Sequence, residues 1–371
     1  MRYPETCLLQ CAEYSSIPGC QQSTRDVSLI IRACCMIRSN LKRRIIESVA
    51  KLSDSRAQVQ WVEIDADLAG QRLDNFLMAR LKGVPKSKIY NVIRKGEVRV
   101  NKGRTKPDYK LNPGDQIRIP PLKTAERPPE PRAADTLIAR LRQSILFENE
   151  GLLVINKPAG LAVHGGSGVS LGLIEVLRQM RPEARYLELV HRLDRDTSGC
   201  IMVAKKRSFL RHLQAALRDK SGSGVRKVYQ ALVIGDWPRD CRRVDAPLLK
   251  REVGERERIV KVQAQGKASL TEFKVLQRYC EFTLIEARPI TGRTHQIRVH
   301  AQHVGHSLVG DEKYGDDDIN KRMRPFGFRR LFLHAAELGF YLPNETQLTL
   351  VKAPLAPDLA EPLSRLTPQP L

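Results

Sequence analysis

The chain predicts an α+β fold in two parts: a small helix–helix–strand module, then a larger domain on a mostly antiparallel, mixed sheet. Three observations support this. Residues 58–122 place two amphipathic helical stretches ahead of two short alternating ones. From about residue 145, strand-like and helix-like stretches follow one another without the βαβα alternation of a doubly wound fold. Between these parts, "KTAERPPEPRAADTLIARL" begins Pro-rich and charged and turns helical, as a linker over 123–144 would. There is no internal repeat.

Taken in order, residues 1–57 are unlike the rest. They hold five of the eight cysteines (Cys7, Cys11, Cys20, Cys34, Cys35) and a run, "SLIIRACCMIRSNLKRR", too short and too charged to span a membrane. A poorly ordered extension from an upstream start codon, or a transit-type peptide, accounts for them. In the module, Leu73, Phe76, Leu77 and Leu81 share one helical face, and Ile89, Val92 and Ile93 share another with Gly96 as the stop. "EVRVN" alternates, and "LNPGDQIRIPP" is a turn entering a second alternating strand.

The domain over 145–371 opens with "SILFENEGLLVINKPAG", two strands around an acidic turn, then the helix "LGLIEVLRQM". "LELV" and "CIMVAKK" read as strands, "SFLRHLQAALRD" as an amphipathic helix. "KVYQALVIG", "SLTEFKVLQRY" and "FTLIEARPI" read as strands and "RTHQIRVHAQHVG" as a helix that Thr294 is placed to cap.

Charge narrows the function. Lys and Arg outnumber Asp and Glu by 63 to 41, a formal net charge of +22. Neutralising phosphates releases counterions, so a nucleic acid fits this excess better than a membrane, for which there is neither a spanning run nor an acylation motif. No two cysteines have C-x-x-C spacing; free thiols in a cytoplasmic protein are the plain reading. Phosphate-loop, dinucleotide, zinc-protease and nucleophile-elbow motifs are all missing, which excludes the common routes to NTP hydrolysis, redox work and zinc hydrolysis. The chemistry expected uses no cofactor and no metal. His295, His300, His303 and His306 lie close in sequence but lack a carboxylate or thiolate at a ligand offset, so phosphate contacts or packing explain them better.

Three clusters carry functional residue types. "HRLDRDTSG" (191–199) combines turn chemistry from Asp196 to Gly199 with Asp194, which follows Leu193 at what reads as a strand end, a rigid place for a cleft carboxylate. "RKVYQALVIG" puts Tyr229 on a strand, where its ring can stack on a base and its phenol can pass a proton. "TGRTHQIRVH" (291–300) supplies Arg293, His295 and Arg298. Each also has an ordinary structural reading: a salt-bridged turn, a half-buried sheet tyrosine, a basic helix start.

Together and in this order, with "NKPAGLAVHGG" (156–166) and "LFLHAAELGF" (331–340), these stretches resemble the RluA-type pseudouridine synthases, and residues 58–122 resemble an S4 RNA-binding domain. The resemblance covers roughly 58–355. It implies the pseudouridine synthase fold and isomerisation of specific uridines in large-subunit (23S) ribosomal RNA. It also implies Asp194 as the catalytic aspartate, Arg298 as its cationic partner with Arg293 in reserve, and Tyr229 as the active-site tyrosine. Arg192 would fill the space left by a flipped nucleotide, Ile297 would wall the base, and Lys157 would touch phosphate. In the module it points to Arg72, Ser87, Lys88, Arg94, Asn101 and Lys102 on RNA. A monomer with no membrane partner is expected. The alternatives are a non-catalytic RNA-binding assembly factor, a sister synthase acting on other rRNA sites or tRNA, and a metal-dependent nuclease built on Asp194, Asp196 and the histidines. "SLVGDEKYGDDD" (307–318) is acidic and is expected to lie away from the substrate.

Overall fold

The computed structural model of the chain describes residues 59–65, 68–81, 83–122, 131–166, 171–184, 186–219, 224–253 and 257–370. The expectation of a poorly ordered segment at 1–57 lies outside them. Backbone contacts divide the chain into two compact units, Met1–Arg127 and Pro128–Leu371.

In the first unit, β1 (Gln60–Glu63) precedes the helices α1 (Leu73–Arg80) and α2 (Lys86–Arg94), followed by β2 (Arg99–Val100) and β3 (Gln116–Ile119). The strands form one antiparallel sheet in the order β1–β3–β2. The predicted faces meet: Leu73, Phe76 and Leu77 of α1 and Ile89, Val92 and Ile93 of α2 are buried with Val98, Ile117 and Ile119. Each large aliphatic side chain so buried stabilises the unit by roughly 1.5–3 kcal/mol. Gly96 ends α2 at φ +72, the left-handed conformation a helix stop of this kind needs. Strand β1 escapes sequence reading because its four residues do not alternate; Trp61 is 54% exposed.

The second unit begins inside the segment expected as a linker. Helix α3 (Asp135–Gln143) is part of its core, since Leu141 is fully buried and Ala133 nearly so. Then follow β4 (Ile145–Glu148), β5 (Leu152–Lys157), α4 (Leu173–Met180), β6 (Glu188–Leu189), β7 (Ser198–Ala204), α5 (Arg207–Arg218) and β8 (Arg226–Ile234). Next come β9 (Arg243–Asp245), β10 (Leu248–Val253), β11 (Glu257–Val262), β12 (Leu270–Tyr279), β13 (Phe282–Pro289), α6 (Gln296–His303) and α7 (Asp317–Met323). The chain closes with β14 (Leu333–Tyr341), β15 (Leu348–Lys352), α8 (Pro357–Ser364) and β16 (Pro368–Gln369).

Eleven strands make one sheet with the path β16–β12–β13–β8–β14–β7–β5–β4; β15, β6 and β9 join β14, β7 and β12. Among these pairs only β14 and β7 run parallel, with His334 opposite Ser198. The sheet is therefore mixed and mostly antiparallel, as expected. Its middle carries the site: β8 holds Tyr229 between Ala287 of β13 and Ala335 of β14, while the loop from β6 into β7 holds Asp194. Gly199 makes the close parallel pairing possible. It sits at φ +108, and a β-carbon there would meet the Ala335 carbonyl oxygen at 2.2 Å.

Candidate active site

Asp194 lies in the loop four residues before β7, not at the end of a strand. The rigidity expected of a strand end comes instead from a lysine. Lys157, at the end of β5, is fully buried, and its Nζ donates at 2.9 Å to the carbonyls of Pro158, Leu161 and Arg195. The Arg195 carbonyl also accepts from the Gly160 amide at 2.9 Å. The carbonyl of Arg195, the residue after Asp194, is thus held twice, and Leu193 before Asp194 is buried. Burial pushes the Lys157 ammonium down to about 7, against the pull of Asp196 and Asp194. Three carbonyl acceptors match the three N–H donors of a charged ammonium, and a neutral amine has only two, so the geometry favours the charged form. The expectation that Lys157 touches phosphate is corrected here: a fully buried ammonium with every donor occupied has none to offer RNA.

The cation beside Asp194 is Arg298, in the first turn of α6 and only 7% exposed. Its Nη1 lies 3.6 Å from Asp194 Oδ2. The rest of its fork is committed to Asp311: Nε and Nη2 each donate to that carboxylate at 2.7 Å. Asp311 Oδ1 accepts in addition the amides of Lys313 (2.9 Å) and Tyr314 (3.0 Å). Burial weighs against the Arg298 charge, but the hydrogen bonds and charge of Asp311, with Asp194 behind them, raise its pKa on balance. Arg298 is therefore a fixed cation, and its Cζ stands 4.9 Å from the centre of the Tyr314 ring.

This overturns one expectation. The stretch 307–318 does not lie away from the site; Asp311 and Tyr314 brace Arg298 from behind. The acidic tail has a local task, since Asp316 caps α7 by accepting from the amides of Asp318 and Ile319 at 3.0 Å. Sequence reasoning weighed the acids as a group and missed Asp311. The usable signal was its place after the apolar "SLVG", where an aspartate entering a core needs a buried cation.

A cleft of about 610 Å³ brings together Arg192, Asp194, Tyr229, Arg293, Ile297 and Arg298. These are six of the seven residues expected at the site, and Lys157 is the exception. Arg192 is exposed, Tyr229 half-buried, and Ile297 buried beside Tyr229. Burial, reinforced by the Asp194 charge, raises the Tyr229 phenol well above its ordinary value, so the group is protonated at neutral pH. Arg293 is exposed and donates from Nε to the Ala268 carbonyl at 3.2 Å. Thr294 is not the cap of α6: His295 holds that position in a left-handed conformation, and Gln296 Oε1 accepts from the Arg293 amide (3.0 Å) and Thr291 Oγ1 (2.7 Å). Both ring nitrogens of His300 and one of His306 are taken up by hydrogen bonds. His300 bonds Thr271 Oγ1 (2.9 Å) and the Ala246 carbonyl (3.0 Å), and His306 the Ile234 carbonyl (2.8 Å).

In the first unit, Ser87, Lys88 and Arg94 are exposed on α2, and Lys102 is exposed in the turn after β2. Two residues expected on RNA are spent locally. Arg72 is bound to Asp74 (2.6 and 3.1 Å), whose carboxyl it holds below the usual range and which also accepts from Tyr90 Oη. Asn101, at φ 49, donates to Asp115 (2.8 Å) and accepts from the Gln116 amide (2.9 Å), so its amide serves the turn.

Residues 151–303 match the RNA pseudouridylate synthase family and residues 71–117 match the S4 domain. The chain is 53% identical over 312 residues to ribosomal large subunit pseudouridine synthase C of Pasteurella multocida, covering 84% of this chain and 95% of that one. It is likewise 53% identical over 311 residues to the protein of the same name from Escherichia coli, covering 83% and 97%. Among solved structures, human RNA pseudouridylate synthase domain containing 4 superimposes with a TM-score of 0.52 at 27% identity, over 63% of this chain and 97% of that one. The chain belongs to the RNA pseudouridylate synthase family, and it carries an S4 domain.

Proposed function

We propose that this synthase isomerises uridines of 23S ribosomal RNA in the cytoplasm, with Asp194 as the reacting carboxylate. The observation that carries the reading is the pairing of a cleft aspartate with a buried, permanently charged arginine at 3.6 Å, beside a half-buried tyrosine. The substrate class follows from the names of the relatives, ribosomal large subunit pseudouridine synthases.

The reaction breaks the N1–C1′ bond, turns the uracil and bonds C5 to C1′; the C5 proton leaves and N1 gains one, so nothing is consumed. Asp194 serves either as the nucleophile at C1′ or as the base at C2′. Both routes need it ionised, and Arg298 supports that state. The target base must first leave its stack. Arg192, exposed at the cleft edge, is suited to hold the gap in the RNA. Ile297 and the Tyr229 ring flank the base. Because the Tyr229 phenol stays protonated at neutral pH, it relays the C5 proton rather than taking it as a resting phenolate. Arg293 offers a further phosphate contact at the rim. In the S4 domain, Ser87, Lys88, Arg94 and Lys102 add affinity through the RNA backbone.

Asp194→Asn tests the reading. It is nearly isosteric and removes the charge, turning one acceptor oxygen into an NH2 donor, so pseudouridine formation in a 23S transcript should vanish while RNA binding is retained. Wild-type-like modification by this variant would overturn it.

A further inference from the structure

Arg298 is not alone in facing Asp194. His295 Nε2 lies 3.9 Å from the same oxygen, Oδ2, that Arg298 Nη1 approaches at 3.6 Å. Two groups from the start of α6 converge on one edge of the carboxylate.

His295 occupies this place in spite of its backbone. It sits at φ 54, ψ 21, the left-handed region that costs a residue with a β-carbon and that glycine or asparagine enters more readily. Strain of this sort persists where the surrounding structure holds it and gathers at functional sites.

The position of the ring hydrogen follows from its neighbours. Tyr314 Oη accepts the Val260 amide at 3.0 Å. The phenol keeps one hydrogen to donate, and His295 Nδ1, 2.7 Å away, is an acceptor within its reach. With Nδ1 accepting, a neutral imidazole carries its hydrogen on Nε2, the atom that faces Asp194. Neutrality has independent support. Burial lowers the His295 pKa, Asp194 opposes this, Arg298 and Lys313 lower it further, and Asp311 opposes more weakly.

We propose that His295 is a positioning residue for Asp194: held by Tyr314, it presents Nε2–H to Oδ2, so that His295 and Arg298 grip one carboxylate oxygen and leave Oδ1 to face the ribose. Contacts of this length in a free enzyme shorten when substrate closes the site. Tyr314 is the common brace, since its hydroxyl orients His295 and its ring face supports Arg298. The inference rests on Asp194 as the reacting group.

The test is kinetic and uses the full-length enzyme on an in vitro transcript of 23S ribosomal RNA. A glutamine can bring its amide Nε2 near the place of the imidazole Nε2, whereas an asparagine is too short but is at ease in the left-handed backbone. His295→Gln should lower kcat about tenfold and His295→Asn about a hundredfold, with KM changed less than about threefold. Melting midpoints should run the other way, with His295→Asn equal to or above wild type and His295→Gln below it. Charging the ring takes Nδ1 from Tyr314 and sets a second cation beside Arg298 and Lys313. Wild-type kcat should therefore fall at a pH below the ordinary histidine range, and His295→Asn should lack that step. Wild-type kcat in His295→Asn, with Asp194→Asn inactive, overturns the His295 assignment and leaves Asp194 standing. Activity in Asp194→Asn overturns the reading beneath it. A loss carried by KM, or one that tracks a falling melting midpoint, marks His295 as structural and also overturns the proposal.

Discussion

Arg298 and Arg94 are both cations expected on or near RNA, and the molecule treats them in opposite ways. Arg298 is 7% exposed and is gripped by Asp311 before any substrate arrives. Arg94 lies exposed at the end of α2 with Lys88 and Ser87 on the same helix, and Lys102 is exposed in the turn beyond. In the cleft, charge is preorganised. Desolvation is met by a bidentate pair and by two backbone amides on Asp311, so the cation acts on Asp194 at short range with little screening by salt. On the S4 domain, charge stays exposed and hydrated, and a phosphate contact made by such a group adds affinity that salt removes. Perturbing the first region should thus change the rate and the stability, and perturbing the second should change binding and its salt dependence.

The strongest way to break the contrast is Asp311→Ala. It leaves Arg298 buried without its partner, a class of change that costs about 3–5 kcal/mol. A drop of that size in the urea-unfolding free energy is expected together with a kcat far below wild type, checked by equilibrium unfolding and by single-turnover assay. If the unfolding free energy barely moved, the pair would not be the fixed brace described here. Lys157→Met comes next. It matches the length of the aliphatic stem but leaves carbonyls without their donor, at about 2–3 kcal/mol. It should also loosen Arg195, the residue next to Asp194, so kcat should fall more than KM rises. A variant that lost only RNA affinity would restore the phosphate contact that the burial of Lys157 argues against.

The smallest effect is expected on the S4 domain. The triple variant Lys88→Ala, Arg94→Ala, Lys102→Ala should keep kcat and the melting midpoint. It should weaken RNA binding and lower the slope of log K against log salt by about 2, given roughly 0.7 per phosphate contact on single strands. Filter binding at several salt concentrations measures this. An unchanged slope would remove these residues from the RNA surface.

Legibility followed the same division. The helical faces of the S4 domain were readable because each is decided by residues three and four apart, and Leu73, Leu77, Ile89 and Val92 are buried as their spacing predicts. Strand β1 was not readable, since its pairing with β3 joins residues as far apart as Gln60 and Ile119 and its side chains stay mostly exposed. In the second unit, most strand segments were visible, and the parallel contact of β7 with β14 was not, because nothing local requires it.

What the sequence determined by itself was the chemistry on offer and the class of partner. The charge excess, the missing cofactor motifs and the ordered stretches around Asp194, Tyr229 and Arg298 are all local or compositional. The tertiary structure decided how that chemistry is held. Lys157 reads as a surface cation until the carbonyls of Pro158, Leu161 and Arg195 are seen to enclose it. Asp311 reads as one acid in an acidic loop until Arg298 is found against it, and His295 as part of a basic run until its Nε2 is seen to face Asp194. The physical reason is common to all three. A charged or polar group buried in a protein is stable only with its partners in place, and those partners come from parts of the chain that meet only after folding.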